Sequence, residues 1–314
     1  MNRREWLELA ALAPVASRLS AQKAQPAPQP PGSGDDQVIR LDVTRVNLLF
    51  TVSDKKGRFV TNLGKEDFEV WEGKRKQALL EFTAESDLPL RIAMLIDTSN
   101  SIKDRFKFEL EAAIQFLDSV IRKGQDKAII YSYDTTTEVV VDFTDDTEHL
   151  AKQMRQLRPG GGTALYDAIF QSCRDKLMMD TPRHKFRRAM IIIGDGDDNA
   201  SRVSREQALE LAHKADVSIY SISTNITKTE TDGDKILRYL SRETGGQSFF
   251  PFKAQDLAQD FENIANELRS QYSLLYRPEP MHTDGQYHEV DVRLRGVGKN
   301  MVIRARRGYY APRM

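Results

Sequence analysis

Between residues 88 and 270, short runs of nearly unbroken apolar residues alternate with longer segments that carry a helical stripe. RIAMLI, KAIIYSY, RAMIII and VSIYSIS are too apolar to face water on either side, so they predict strands buried on both faces. Such strands need a layer of helices above and below. The segments between them supply it, because parallel neighbours must be joined by crossovers. The segment 102 to 121 sets Ile102, Phe106, Leu110, Ile114, Leu117 and Ile121 on one face. Further helical patterns fall at 145–157, 164–179, 204–215, 233–243 and 255–270, and EVVVDF reads as an edge strand. The fold class is α/β, a doubly wound, mostly parallel sheet of Rossmann-like architecture.

The flanks are different. VNLLFTV and QALLEFT on one side, and YSLLYR, YHEVDVRLR and MVIRARRGYY on the other, are strand-like, with DKKGR and EGKRK as turns between them. Together they supply about seven strands, and neither flank alone suffices for two sheets. The expected organisation is therefore a β-sandwich-like domain in two parts, 38–87 and 271–314, with the α/β domain (88–270) inserted between them. Residues 22–37 (QKAQPAPQPPGSGDDQ) read as a Pro-rich linker.

Residues 1–21 have the form of an export signal: Arg3 and Arg4, an apolar stretch at 6–16, and Leu19-Ser20-Ala21 before Gln22. The apolar stretch is about half of the ~20 residues needed to span a bilayer. The order Asn-Arg-Arg-Glu-Trp-Leu resembles a twin-arginine signal, with the general secretory route left open. The expected location is periplasmic or secreted, with no membrane-spanning segment in the mature chain. Lys+Arg and Asp+Glu number 46 each, and removing residues 1–21 leaves one net negative charge. That balance argues against nucleic acid as a partner. The single cysteine, Cys173, excludes an internal disulfide and a thiolate cluster, and its four-residue spacing from Leu165, Ile169 and Leu177 places it in the core.

Ligands of open parallel sheets sit beyond the carboxyl ends of the strands. Two strands end there in acids: Met94-Leu95-Ile96 runs into Asp97, with Ser99 and Ser101 following, and Met190 to Gly194 runs into Asp195. Between them, RPGGGTALYDAI places a glycine loop before Thr163 and a helix. Asp97, Ser99, Ser101, Thr163 and Asp195 are all oxygen donors, a set that suits Mg²⁺ first, and also Mn²⁺ or Ca²⁺, over zinc. Two carboxylates balance a divalent charge, and the hydroxyls add ligands without adding charge.

The ordered triple of Asp-x-Ser-x-Ser at 97–101, Gly-Gly-Thr at 161–163 and Asp-Gly at 195–196 resembles the metal-ion-dependent adhesion site of von Willebrand factor type A domains. The resemblance implies that Asp97, Ser99 and Ser101 form the first metal loop, Thr163 the second and Asp195 the third. Gly194 departs from it, since many members carry a hydroxyl residue there. The flanks further resemble exported bacterial proteins of an acidobacterial type A-related group. The implied function is a non-enzymatic adhesion or protein-interaction module of the cell envelope that binds an acidic side chain of a partner through the cation. Partner identity, affinity and oligomeric state are left open.

Other readings stand beside it. Asp97, Ser99 and Ser101 would also serve as helix caps. Asp197 and Asp198 read as a solvated acidic loop, and Asp134 and Asp167 as turn and helix-start residues. Histidines 149, 184, 213, 282 and 288 show no metal-like spacing. A metal-dependent hydrolase or phosphatase is the alternative function, although no Gly-x-Ser-x-Gly elbow is present. A structural envelope protein with a vestigial metal site is the other.

Overall fold

The computed structural model describes residues 45–84, 88–102, 105–179, 185–225, 227, 229–296 and 301–313. The expected signal, the linker and His184 lie outside the described residues. Its central sheet has six strands in the order β10-β9-β8-β5-β6-β7. These are β5 (Leu90–Asp97), β6 (Lys127–Tyr133), β7 (Thr137–Thr144), β8 (Arg187–Gly194), β9 (Val217–Ser223) and β10 (Ser248–Phe249). Pairing is parallel except for β7, which lies antiparallel against β6 at the edge. β5, β8 and β9 are buried at every position, as their unbroken apolar runs require.

Among the described residues, six helices cover the two faces. Side chains of α1 (Phe106–Val120), α2 (Thr147–Met154) and α6 (Ala254–Arg269) share one apolar cluster with the sheet. Those of α3 (Leu165–Ser172), α4 (Arg205–Lys214) and α5 (Asp232–Thr244) share the other. Cys173 lies in this second cluster, in a π-helical turn (Cys173–Leu177) that prolongs α3, and burial pushes its thiol up to about 12. From β5 the chain builds first towards β6 and β7, then crosses to β8 on the other side. The winding therefore reverses between β5 and β8, and a crevice opens beyond their carboxyl ends.

The flanks form two antiparallel four-stranded sheets. One has the order β13 (Met301–Ala305), β1 (Val46–Asp54), β11 (Tyr272–Tyr276) and β4 (Leu79–Thr83). The other has β14 (Gly308–Tyr310), β12 (Tyr287–Leu294), β2 (Phe68–Glu72) and β3 (Arg75–Gln77). Inward residues of both sheets make one core, in which Phe50 meets Phe68 edge-on at 5.0 Å and stacks on Tyr272 at 5.5 Å. EGKRK is not wholly a turn. Only Gly73 takes the left-handed conformation (φ 57°), while Arg75 and Lys76 already pair with Glu72 and Trp71, which adds an eighth strand.

The passages between flanks and central sheet are pinned by one residue. The buried carboxylate of Asp126 accepts the amides of Leu90 at 2.7 Å and Arg122 at 2.9 Å, and Arg269 Nη2 at 2.5 Å. Burial alone would raise its pKa, but the arginine and amide donors outweigh it and hold the group below the ordinary aspartate value. A second tie is Glu267 of α6, which accepts Arg304 Nη1 of β13 at 2.8 Å and Thr51 Oγ1 of β1 at 3.1 Å. No helix among the described residues is long and apolar enough to cross a membrane.

Candidate metal centre

β5 and β8 run side by side with Ile96 opposite Ile193, so their ends deliver Asp97 and Asp195 to neighbouring positions at the crevice. Asp97 Oδ1 accepts the Ser99 amide at 2.7 Å, which turns the chain back over the strand end and directs the hydroxyls towards the third loop. Ser99 Oγ and Ser101 Oγ share a 2.8 Å hydrogen bond, and Ser101 Oγ donates to Asp195 Oδ2 at 2.6 Å. These serines do not cap the helix. A single 3₁₀ turn (Asn100–Ile102) intervenes, and α1 begins at Phe106 after Arg105, with no side-chain cap.

The other two seams between loops each combine backbone groups with one asparagine side chain. Gly161 O accepts the Asn100 side chain at 3.0 Å and Gly160 N donates to Thr98 O at 2.6 Å, which joins the first loop to the second. Thr163 N donates to Asn199 Oδ1 at 2.9 Å, and Thr163 O accepts the amides of Asn199 and Ala200, which joins the second to the third. Asp97, Ser99, Ser101 and Asp195 thus form one side-chain cluster, and Thr163 is buried and fixed beside it through its peptide groups.

Charge at the crevice is poorly balanced. Asp97 is fully buried, its Oδ2 accepts no hydrogen bond, and burial, with Asp195 nearby, pushes its pKa up to about 7. Glu109 of α1, which the sequence reading did not single out, is also buried. Neither of its oxygens accepts a hydrogen bond and Arg105 Nε stands 3.4 Å away, while burial, with Asp97 and Asp195 nearby, lifts it to about 7. Its only signal was an acid next to Leu110 on the buried stripe of α1. Three acids converging with an orphaned buried oxygen and a row of hydroxyls fit a hard divalent cation.

Gly194 has a steric reason for departing from the hydroxyl residue expected there. A Cβ on it would lie 2.4 Å from the Tyr133 hydroxyl and 3.0 Å from Asp97 Oδ2, so the tyrosine fills that space. Gly196 has φ 81°, and a Cβ there would lie 2.2 Å from Gly233 O, so the third loop packs directly on α5.

Among the remaining acids, Asp134 accepts the Thr136 amide in a turn, and Asp167, in the first turn of α3, accepts the amides of Arg202 and Val203. Asp198 is not a solvated acid: its Oδ2 accepts the Tyr166 amide at 3.0 Å and Ser201 Oγ at 2.6 Å, which shapes the loop. Two of the histidines come together in the fold although their spacing shows no metal-like pairing. His282 and His288 stack with centroids 3.8 Å apart beside Glu72, because the turn at Asp284-Gly285 folds a loop residue back on a strand residue. Six residues of separation in sequence gave no sign of this.

Residues 92–197 match the family model of the von Willebrand factor type A domain. The central region is similar to von Willebrand factor type A domains over these residues. Solved structures similar to the chain include the PilB minor pilin of Streptococcus sanguinis, with 13% identity over 59% of this chain and 62% of that one and a TM-score of 0.47. The von Willebrand factor domain of the type V pili tip protein Mfa5 from Porphyromonas gingivalis is 14% identical over 57% of this chain and 94% of that one, with a TM-score of 0.45. Proximal thread matrix protein 1 of the mussel byssus, solved with a zinc-occupied MIDAS motif, is 18% identical over 60% of this chain and 47% of that one, with a TM-score of 0.48. The chain thus spans less than two thirds of the pilin and mussel structures. No curated protein matches it.

Proposed function

We propose that the type A domain binds one divalent cation, Mg²⁺ in the first instance, through Asp97, Ser99, Ser101, Thr163 and Asp195. In this reading the domain serves as a non-enzymatic adhesion module of the cell envelope that takes an acidic side chain of a partner protein. The observation that carries the reading is Asp97 Oδ2, a buried carboxylate oxygen with no hydrogen-bond partner at the end of the hydroxyl row leading to Asp195. A bound cation would supply positive charge and an open coordination position for an incoming carboxylate. Asp97 and Asp195 contribute the balancing charge, and the serine and threonine hydroxyls contribute neutral oxygens. The loops at 134–137, 160–163 and 196–202 select the partner, because a cation does not distinguish one carboxylate from another.

The test has two parts. Calorimetric titration of Mg²⁺ or Mn²⁺ shows one site in the wild type and none in an Asp97→Ala, Asp195→Ala variant. Equal uptake by both proteins refutes the site. Capture of partners from envelope extract by the wild type, lost with EDTA and in Thr163→Ala while folding is intact, supports adhesion. Capture unchanged in all three shifts the binding surface to the β-sheets, and metal-dependent turnover of a phosphate ester makes the domain a hydrolase.

A further inference from the structure

The two histidines that stack in the β-domain stand on the end of β2. His282 Nε2 is 3.2 Å and His288 Nδ1 3.8 Å from the same oxygen, Glu72 Oε1, and the three side chains each bring one ligand atom to within 4.8 Å of the others. Glu72 is buried, and its carboxylate is held by two hydroxyls, Tyr309 at 3.0 Å on Oε1 and Tyr276 at 3.2 Å on Oε2. On its far side, His288 Nε2 lies 3.0 Å from Asp284 Oδ1.

The hydrogen bonding of His288 limits what can occupy the space between these groups. A carboxylate only accepts, so the proton of a neutral His288 sits on Nε2 facing Asp284, and Nδ1 turns its lone pair towards Glu72. Lone pair against carboxylate is repulsive unless a positive charge stands between them. A proton on His288 Nδ1 is one such charge, and a cation shared with the stacked ring of His282, whose centroid is 3.8 Å away, is the other. One cation accepting a lone pair from each neutral ring and an oxygen from Glu72 satisfies all three groups. A carboxylate behind a ligating histidine is the usual arrangement around protein-bound zinc.

We propose that Glu72, His282 and His288 form a second metal site, for Zn²⁺ or another imidazole-preferring transition ion, with Asp284 as the positioning residue for His288. Two nitrogens and one oxygen suit zinc, with a fourth position open to solvent, and they are a poor set for Mg²⁺. The ring side chains are 26% and 17% exposed, so an ion has a way in. Bound metal staples the connection between β11 and β12 to the end of β2.

The probe is Co²⁺ added to the metal-free full chain. The wild type and an Asp97→Ala, Asp195→Ala variant both develop the visible bands of four-coordinate cobalt, which one equivalent of Zn²⁺ bleaches and excess Mg²⁺ does not. A His282→Gln, His288→Gln variant develops none. Asp284→Asn, which leaves every ligand in place, weakens Zn²⁺ binding by about 10–100-fold. The proposal is overturned if the wild type shows no bands, if the histidine variant keeps them, or if they vanish only in the aspartate variant.

Discussion

Ser101 Oγ donates a 2.6 Å hydrogen bond to Asp195 Oδ2, and the two residues are 94 apart in sequence. This seam joins side chain to side chain, whereas the other two each include a peptide-to-peptide hydrogen bond. Substitutions among the acids and hydroxyls therefore change binding while the loops keep two of their three connections.

Asp97→Asn separates stability from binding. Asp97 keeps an unpaired oxygen in a buried setting with two acids nearby, so neutralising it removes a desolvation cost. In EDTA at pH 7.5 the variant is more stable than the wild type by roughly 1–3 kcal/mol. If the site binds metal as proposed, Mn²⁺ raises the melting temperature of the wild type and not of the variant. Denaturant and thermal melts with and without Mn²⁺ check both halves, and a less stable metal-free variant refutes the first.

Gly194→Ser, which restores the hydroxyl residue common at that position, destabilises the protein by about 1–3 kcal/mol through overpacking. The added Cβ collides with the Tyr133 hydroxyl at 2.4 Å. Combining it with Tyr133→Phe recovers most of the loss, because that hydroxyl is buried and makes no hydrogen bond of its own. A double-mutant cycle with no coupling between the two positions would show that the collision is relieved elsewhere.

His213 of α4 gives the stability a pH dependence. Its ring is buried between Tyr287 and Tyr310, and burial, with Arg306 nearby, holds its pKa down to about 3. The unfolded chain takes up a proton near the ordinary histidine value of about 6.5, which the folded chain refuses until about pH 3. The contribution is complete above pH 6.5 and is lost as pH falls towards 3, at no more than about 1.4 kcal/mol per pH unit. Urea melts from pH 7 to 4 show a steeper decline for the wild type than for His213→Phe, and parallel curves exclude this residue as the cause.

Deleting residues 275–314 removes β13 and the end of β11 from β1, and β12 from β2. β1 lies between β11 and β13, and β2 between β12 and β3, so three of the four ladders on these strands come from the C-terminal flank. Amide exchange at 46–54 and 68–72 then becomes fast. If those amides keep full protection, the two flanks do not form one domain, and the division at 38–87 and 271–314 fails.

Periodicity made the central sheet and its helices legible because burial on both faces leaves no ambiguity: β5, β8 and β9 coincide with their apolar runs, and α4 and α5 with their stripes within a residue or two. The start of α1 was less legible. Ile102 continues the helical spacing, but the loop after Asp97 must first turn through the 3₁₀ segment, so the helix begins four residues later. The first and third loops could be read because their donors follow strand ends. Glu109 was hidden since its importance depends on the end of β5 facing α1, and the His282–His288 stack was hidden since it depends on a turn conformation. Both are contacts of the folded chain with no local spacing to announce them.

The carboxylate of Asp126 holds Leu90, where β5 begins, and Arg269, where α6 ends. Both threads joining the central α/β region to the flanking sheets therefore leave from one spot, at the opposite end of β5 from Asp97. A pull applied at the crevice would reach both threads together at this carboxylate. His213 of α4 against Tyr287 and Tyr310, and Glu267 of α6 against Arg304, brace the same junction, so the helices as well as the two threads carry load from the crevice into the β-sheets.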